Sequence, residues 1–147
     1  EPAAHGGQDA QGRGQDQQEQ AEIVLRCGGQ TRATGLRYLG AFMGDYAQTS
    51  LGCRLGAGTS LGPCAQAFAS ESYVPEYVPS FCTAEHGRIS SPSNCEKALS
   101  LLRRMFENAG RDFSPARRAL WQALFQREEN VRRQACHEAE LRQLRRA

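Results

Sequence analysis

Six cysteines carry the widest chemical repertoire in this chain: Cys27, Cys53, Cys64, Cys82, Cys95 and Cys136. No two have the two-residue gap of a CxxC redox or zinc unit. An even number spread through 147 residues instead fits a disulfide framework formed in an oxidising compartment. Gly58-Thr59-Ser60-Leu61-Gly62 matches the G-x-S-x-G form of a nucleophile elbow, but Cys53-Arg54-Leu55-Gly56-Ala57 before it is no buried strand. Of the three histidines, His5 falls in a polar tail, His86 follows Cys82 by four residues, and His137 stands beside Glu138 in a charged segment. None completes a zinc motif, and HExxH, P-loop, dinucleotide-glycine and CxxCH patterns are absent, so neither metal nor cofactor is expected.

Charge is the second chemical signal. Residues 1–94 hold 6 basic and 9 acidic groups, net −3, whereas residues 95–147 hold 12 basic and 7 acidic groups, net +5. All basic residues but Lys97 are arginine, with doublets at Arg103-Arg104, Arg117-Arg118, Arg132-Arg133 and Arg145-Arg146. Arginine binds carboxylate, sulfate and phosphate bidentately, so an acidic or sulfated partner surface fits Arg132 and Arg133. The interleaved glutamates favour an ordinary solvated helix face over such a partner. An overall charge of +2 with no basic–aromatic motif argues against nucleic acid.

These groups need elements to position them. Residues 1–20 contain no Leu, Ile, Val or Phe and read as a disordered tail, with structure beginning near Asp16–Glu22 and one domain over 21–147. Leu36, Leu39, Met43 and Tyr46 share one helical face and predict a helix from Thr34 to about Gln48. Thr49-Ser50-Leu51-Gly52-Cys53 is echoed by Thr59-Ser60-Leu61-Gly62-Pro63-Cys64, a glycine-rich loop too short to imply a solenoid. Pro63 then opens a short helix over 65–69, and the repeated Tyr-Val-Pro of residues 73–79 stays extended. Tyr73, Tyr77 and Phe81 on this proline-stiffened segment form a candidate contact surface for a partner.

The C-terminal third predicts a helical hairpin. Ser93 and Glu96 match a capping box, Gly110 is a stop, and Ser114-Pro115 reopens a helix of about 45 Å at ~1.5 Å per residue. In such a hairpin Cys95 and Cys136 stand roughly 22 and 33 Å from the turn. That offset exceeds the ~4.4–6.8 Å between bridged Cα atoms. Cys136 is therefore expected not to pair with Cys95 but to staple the long helix to the N-terminal half, with Cys27 the leading candidate; of the 15 possible pairings the simplest then joins Cys53 with Cys64 and Cys82 with Cys95.

The expectation is a mainly α, small disulfide-stapled helical domain with a C-terminal helical hairpin and an irregular Gly/Pro-rich middle. Leu, Ile, Val and Phe number 25 of 147, a lean core that cross-links would support. The chain opens Glu1-Pro2-Ala3-Ala4 without Met, as a secreted chain does after signal-peptide removal, and no apolar run approaches bilayer length. The spacing of Cys53 and Cys64 departs from that of insect odorant-binding proteins. Phe106–Arg111, continuing to Ala123–Leu124, is similar to a helix-turn-helix segment of stanniocalcins, secreted regulatory glycoproteins, but the cysteine spacing elsewhere does not follow that family. The functional expectation is a secreted, non-enzymatic binding protein, an extracellular interaction or signalling factor or inhibitor. Two alternatives are a small-lipid carrier, which needs an apolar cavity of at least ~300 Å³, and a small hydrolase using Ser60.

Overall fold

Three stretches of the chain share one pattern: Phe42-Met43-Gly44-Asp45-Tyr46-Ala47-Gln48-Thr49, Ser60-Leu61-Gly62-Pro63-Cys64-Ala65-Gln66-Ala67 and Tyr77-Val78-Pro79-Ser80-Phe81-Cys82-Thr83-Ala84. In the computed structural model, which describes residues 22–68 and 73–145, these stretches lie on top of one another as coils. The tail expected over residues 1–20 lies outside the described residues.

An antiparallel hairpin comes first, β1 (Val24–Cys27) with β2 (Gln30–Ala33). The first coil carries β3 (Phe42–Met43) and β4 (Gln48–Thr49), the second β5 (Ser60–Leu61) and β6 (Gln66–Phe68), the third β7 (Tyr77–Val78) and β8 (Thr83–Glu85). Parallel pairing gives a sheet β3-β5-β7 on one side and β4-β6-β8 on the next, with β9 (Arg88–Ser90) closing the latter antiparallel. A parallel bridge from Arg54 to Tyr73 marks a third side. Leu61, Ala65, Ala67, Val74, Val78, Cys82 and Ala84 fill the inside. Small residues dominate because coils with two- and three-residue sides leave little room.

The corner between the two sheets recurs at Tyr46, Cys64 and Phe81, with φ of 58°, 57° and 65°. This left-handed conformation is unfavourable for residues with a Cβ, by roughly 1–2 kcal/mol each. Gly44 and Gly62 stand two residues earlier, where the next coil passes closely. A Cβ on Gly62 would lie 2.5 Å from the Ser80 amide nitrogen, and one on Gly44 2.5 Å from the Pro63 nitrogen.

The corner side chains point away from the coil and seat the helices. These are α1 (Cys95–Asn108), α2 (Pro115–Arg127) and α3 (Glu129–Leu144). Tyr46 stacks on Phe106 at 4.5 Å, and Phe81 meets Trp121 and Phe125 edge-on at 6.0 and 5.2 Å. On α1, Ala98, Leu99, Leu102, Met105 and Phe106 turn inward. Asn94 caps α1 by accepting from the Lys97 amide at 2.9 Å, one residue later than the Ser93 box implied. Ser114 caps α2 as expected, and Gly110 after α1 adopts φ +64°.

Several expectations are corrected. The chain is mixed α/β, with three helices and nine strands among the described residues, because coil pairing takes over the middle. The helix expected over 34–48 is replaced by β3 and β4; its helical spacing also satisfies strands interrupted by the Tyr46 corner. The short helix over 65–69 is replaced by β6. The long C-terminal helix breaks at Glu128, whose carboxylate accepts a 2.6 Å hydrogen bond from Ser80 Oγ in the third coil. The break lets α2 lie on the corner column while α3 crosses β9 and Tyr77.

No disulfide links any of the six cysteines, so the stapled-domain reading is overturned. Two of them occupy repeat positions instead: Cys64 is the middle corner residue, and Cys82 follows Ala47 and Ala65 inside the coil. There a thiol serves as a small apolar side chain. In place of the expected Cys27–Cys136 staple, Arg26, one residue before Cys27, pairs at 3.0 Å with Glu138, two residues after Cys136, and ties β1 to α3.

Gly62→Ala should lower stability by about 2–3 kcal/mol in urea unfolding, because its Cβ meets backbone. Gly40→Ala, with open space around it, should change stability by under about 0.5 kcal/mol.

Candidate functional site

The two ends of the coil stack differ. In the third coil every residue from Tyr77 to Cys82 is buried, under α3 and the β1–β2 hairpin. Gly28 of that hairpin donates its amide to Tyr77 Oη at 3.2 Å, and Ala135, Glu138 and Ala139 of α3 surround the same ring. In the first coil Phe42 and Met43 are 46% and 50% exposed. Leu36, Tyr38 and Leu51 are exposed near it in sequence.

The backbone explains why this end is an edge. The amides of Phe42, Gly44, Gln48 and Ser50 donate to Thr59, Leu61, Ala65 and Ala67 of the second coil at 2.8–2.9 Å. Alternation along a parallel ladder turns the groups of Met43 and Thr49 the other way, outward. Two edges, β3 and β4, thus run in the same sense around the Tyr46 corner with no further coil above them among the described residues.

Of the predicted contact aromatics, only Tyr73 is exposed, at 67%. Phe81 packs in the helix seat and Tyr77 under α3. Burial, then the nearby Glu128 carboxylate, pushes the Tyr77 phenol up to about 12. Ser60 is buried in β5 between Phe42 and Tyr77, while His86 sits in the exposed β8–β9 turn. The arginines are largely engaged internally: Arg103 with Glu107, Arg118 with Glu96, Arg133 with Glu129 and Arg142 with Glu138.

Arg132 is different. It is 2% exposed, and its guanidinium carbon stands 3.7 Å from the Phe125 ring centroid. Its Nη1 is buried without a hydrogen-bond partner. One turn later on α3 is Cys136, hydrogen-bonded to Cys82 of the coil. The Cys82 hydrogen bond, aided by the Ser91 amide and Arg132, holds the Cys136 thiol down at about 7 despite partial burial. The same contact, together with burial, pushes Cys82 well above the ordinary thiol range. Burial pushes Cys64 up to about 12. Cys95 begins α1 and is raised by burial and by Glu96. The Cys82–Cys136–Arg132 grouping was not legible in the sequence; the i,i+4 spacing of Arg132 and Cys136 was its only visible trace.

Clefts of about 460, 320 and 260 Å³ open between elements among the described residues. The 460 Å³ cleft lies between the α1 N-terminus and α3, and Arg132, Cys136 and His137 line it. Among the described residues no cluster of His, Cys, Asp and Glu has the arrangement of a metal site. Nor, among the described residues, is any helix long and apolar enough to cross a membrane. Comparison with known proteins finds no matching family model, no similar curated protein and no similar solved structure.

Ultraviolet titration of the thiols should show a first thiolate forming near pH 7, lost in Cys136→Ser and moved upward in Cys82→Ala. Stability should follow the signs of these shifts. Cys136, lowered on folding, adds stability as pH rises from about 7 to about 9, the ordinary thiol value. Cys64 and Cys82, raised on folding, remove stability above about pH 9, where only the unfolded thiols ionise.

Proposed function

We propose that the protein is a non-enzymatic binding protein that takes an extended segment of a partner protein onto its open first coil. The observation that carries this reading is the contrast between a third coil buried from Tyr77 to Cys82 and a first coil whose Phe42 and Met43 are half exposed. An unprotected sheet edge pairs readily with another chain. Main-chain hydrogen bonds would supply affinity, and alternate side chains would supply specificity.

The geometry favours a partner segment over a second copy. A two-fold axis would pair β3 antiparallel with its own image and set β4 against the copy's third side, which carries one bridge. A parallel segment that turns as the coil turns matches both β3 and β4. Such a partner carries alternating apolar residues to cover Met43, Phe42 and the interior beside Ala47 and Leu55. The cysteine argument for an oxidising compartment no longer contributes, so the reading rests on the coil alone. Nor does a sulfated or acidic partner gain support from Arg133, already paired with Glu129 at 2.8 Å.

Peptides selected from a random display library on the full chain should carry alternating apolar residues. They should bind Met43→Lys at least about tenfold more weakly, a loss of about 1.4 kcal/mol. Peptides that bind the wild type and Met43→Lys equally would place the interaction elsewhere.

A further inference from the structure

The cleft between the α1 N-terminus and α3 combines three features that the coil-edge reading leaves unused. Arg132 keeps a buried Nη1 without a partner. The carboxylates nearest in sequence are engaged elsewhere: Glu128 accepts from Ser80 and pairs with Arg127, and Glu129 pairs with Arg133 at 2.8 Å. Among the described residues the Arg132 side chain forms neither an ion pair nor a hydrogen bond; its guanidinium lies against Phe125 and Phe81 instead. An unpaired cation held in an apolar setting leaves part of its desolvation cost uncompensated, and an anion in the cleft would offset it.

Cys136 lines the same cleft. It stands beside the Cys82 thiol and the Ser91 backbone, and both contacts favour its charged form. Asn94, the N-cap of the fourteen-residue α1, and Ser93 before it also line the cleft, which brings the N-terminal end of that helix to its wall. That helix end adds partial positive charge. Glu140 and Glu129 are the opposing charges on the lining, and Glu129 is paired with Arg133.

We propose that this cleft is a covalent modification site in which Arg132 draws in a small electrophile bearing a carboxylate and Cys136 attacks it. With a haloacetate, Cys136 Sγ forms a bond to the methylene carbon as the carbon–halogen bond breaks, and halide leaves with the electron pair. The thiolate form of Cys136 is the attacking species, so no proton moves in this step. With a carboxylate-bearing activated alkene, sulfur bonds to the β-carbon, the π pair moves to the α-carbon, and that carbon takes a proton from water. Arg132 holds the carboxylate in both cases, and the Cys82 thiol stays protonated.

The test is competitive alkylation of the full chain with iodoacetate and iodoacetamide at low ionic strength, read at each cysteine by peptide mass mapping. The ratio of the two reagents at one thiol cancels its thiolate fraction, and exposed Cys27 is the internal reference. The iodoacetate preference at Cys136 should exceed that at Cys27 by about fivefold, the effect of one charge at ~4 Å in water. It should fall toward that of Cys27 in Arg132→Gln and at raised salt, and rise in Glu140→Gln. Since Arg132 is buried and Arg132→Gln can compromise folding, Glu140→Gln and the salt series decide the matter independently. A ratio at Cys136 no greater than at Cys27, or unmoved by both salt and Glu140→Gln, overturns the proposal. So does a Cys136 that stays unlabelled in the folded chain. Loss of peptide binding at Met43 leaves these outcomes untouched, so the two readings fail separately.

Discussion

The left-handed corner at Tyr46, Cys64 and Phe81 is the constraint from which the rest of the structure follows. Each coil must turn sharply after a two-residue strand, and a positive φ provides the turn. Glycine would adopt that conformation freely, yet all three positions carry side chains. Two of them are aromatic and supply the surface on which Phe106, Trp121 and Phe125 pack. Strain of roughly 1–2 kcal/mol per corner is set against aromatic burial, where truncating one Phe typically costs about 3–5 kcal/mol. The sharp turn and the helix seat are therefore a single feature. The coil fixes where the helices sit, and the helices hold the corners in a conformation they would otherwise leave.

The composition makes sense on this basis. A chain with few large aliphatic residues builds two small cores. One is the coil interior, lined by Ala65, Ala67, Ala84, Val74 and Val78; the other is the aromatic layer beneath α1 and α2. Cross-links are unnecessary where glycine allows backbones to approach this closely. Cysteine then serves as a small residue at Cys64 and Cys82, and as a nucleophile where Cys82 touches Cys136. The coil residue Cys82 thus both fills the interior and sets the proton balance of the cleft.

What was legible in the sequence was local. Ser114-Pro115 and Gly110 marked helix ends because capping is decided within a few residues. Proline sterics kept residues 73–79 out of a helix, and the chain there runs from the Tyr73 bridge through a bend at Glu76 into β7. The coil was hidden for two reasons. Its step is 18 residues from Phe42 to Ser60 and 17 from there to Tyr77, and its strands are too short to show an alternating pattern. The louder Thr-Ser-Leu-Gly echo has an unrelated ten-residue offset and masked Gly44/Gly62 and Ala47/Ala65. Leu36, Leu39, Met43 and Tyr46 fit a helical period, and long-range pairing overrode it. Arg132 read as one of a surface doublet; only the break at Glu128 and the tilt of α3 bury it, and neither is a local property.

Amide hydrogen exchange across residues 42–85 tests the stacked, one-end-open coil most directly. The amides of Ser60, Gly62 and Gln66, bonded to the third coil at 2.8 Å, should exchange as slowly as the α1 interior. Those of Met43 and Thr49 on the outer edge should exchange far faster than their neighbours Gly44 and Gln48. Uniformly fast exchange over 42–85 beside protected helices would mean that the coils do not stack. Slow exchange at Met43 and Thr49 would mean that the first coil is already covered.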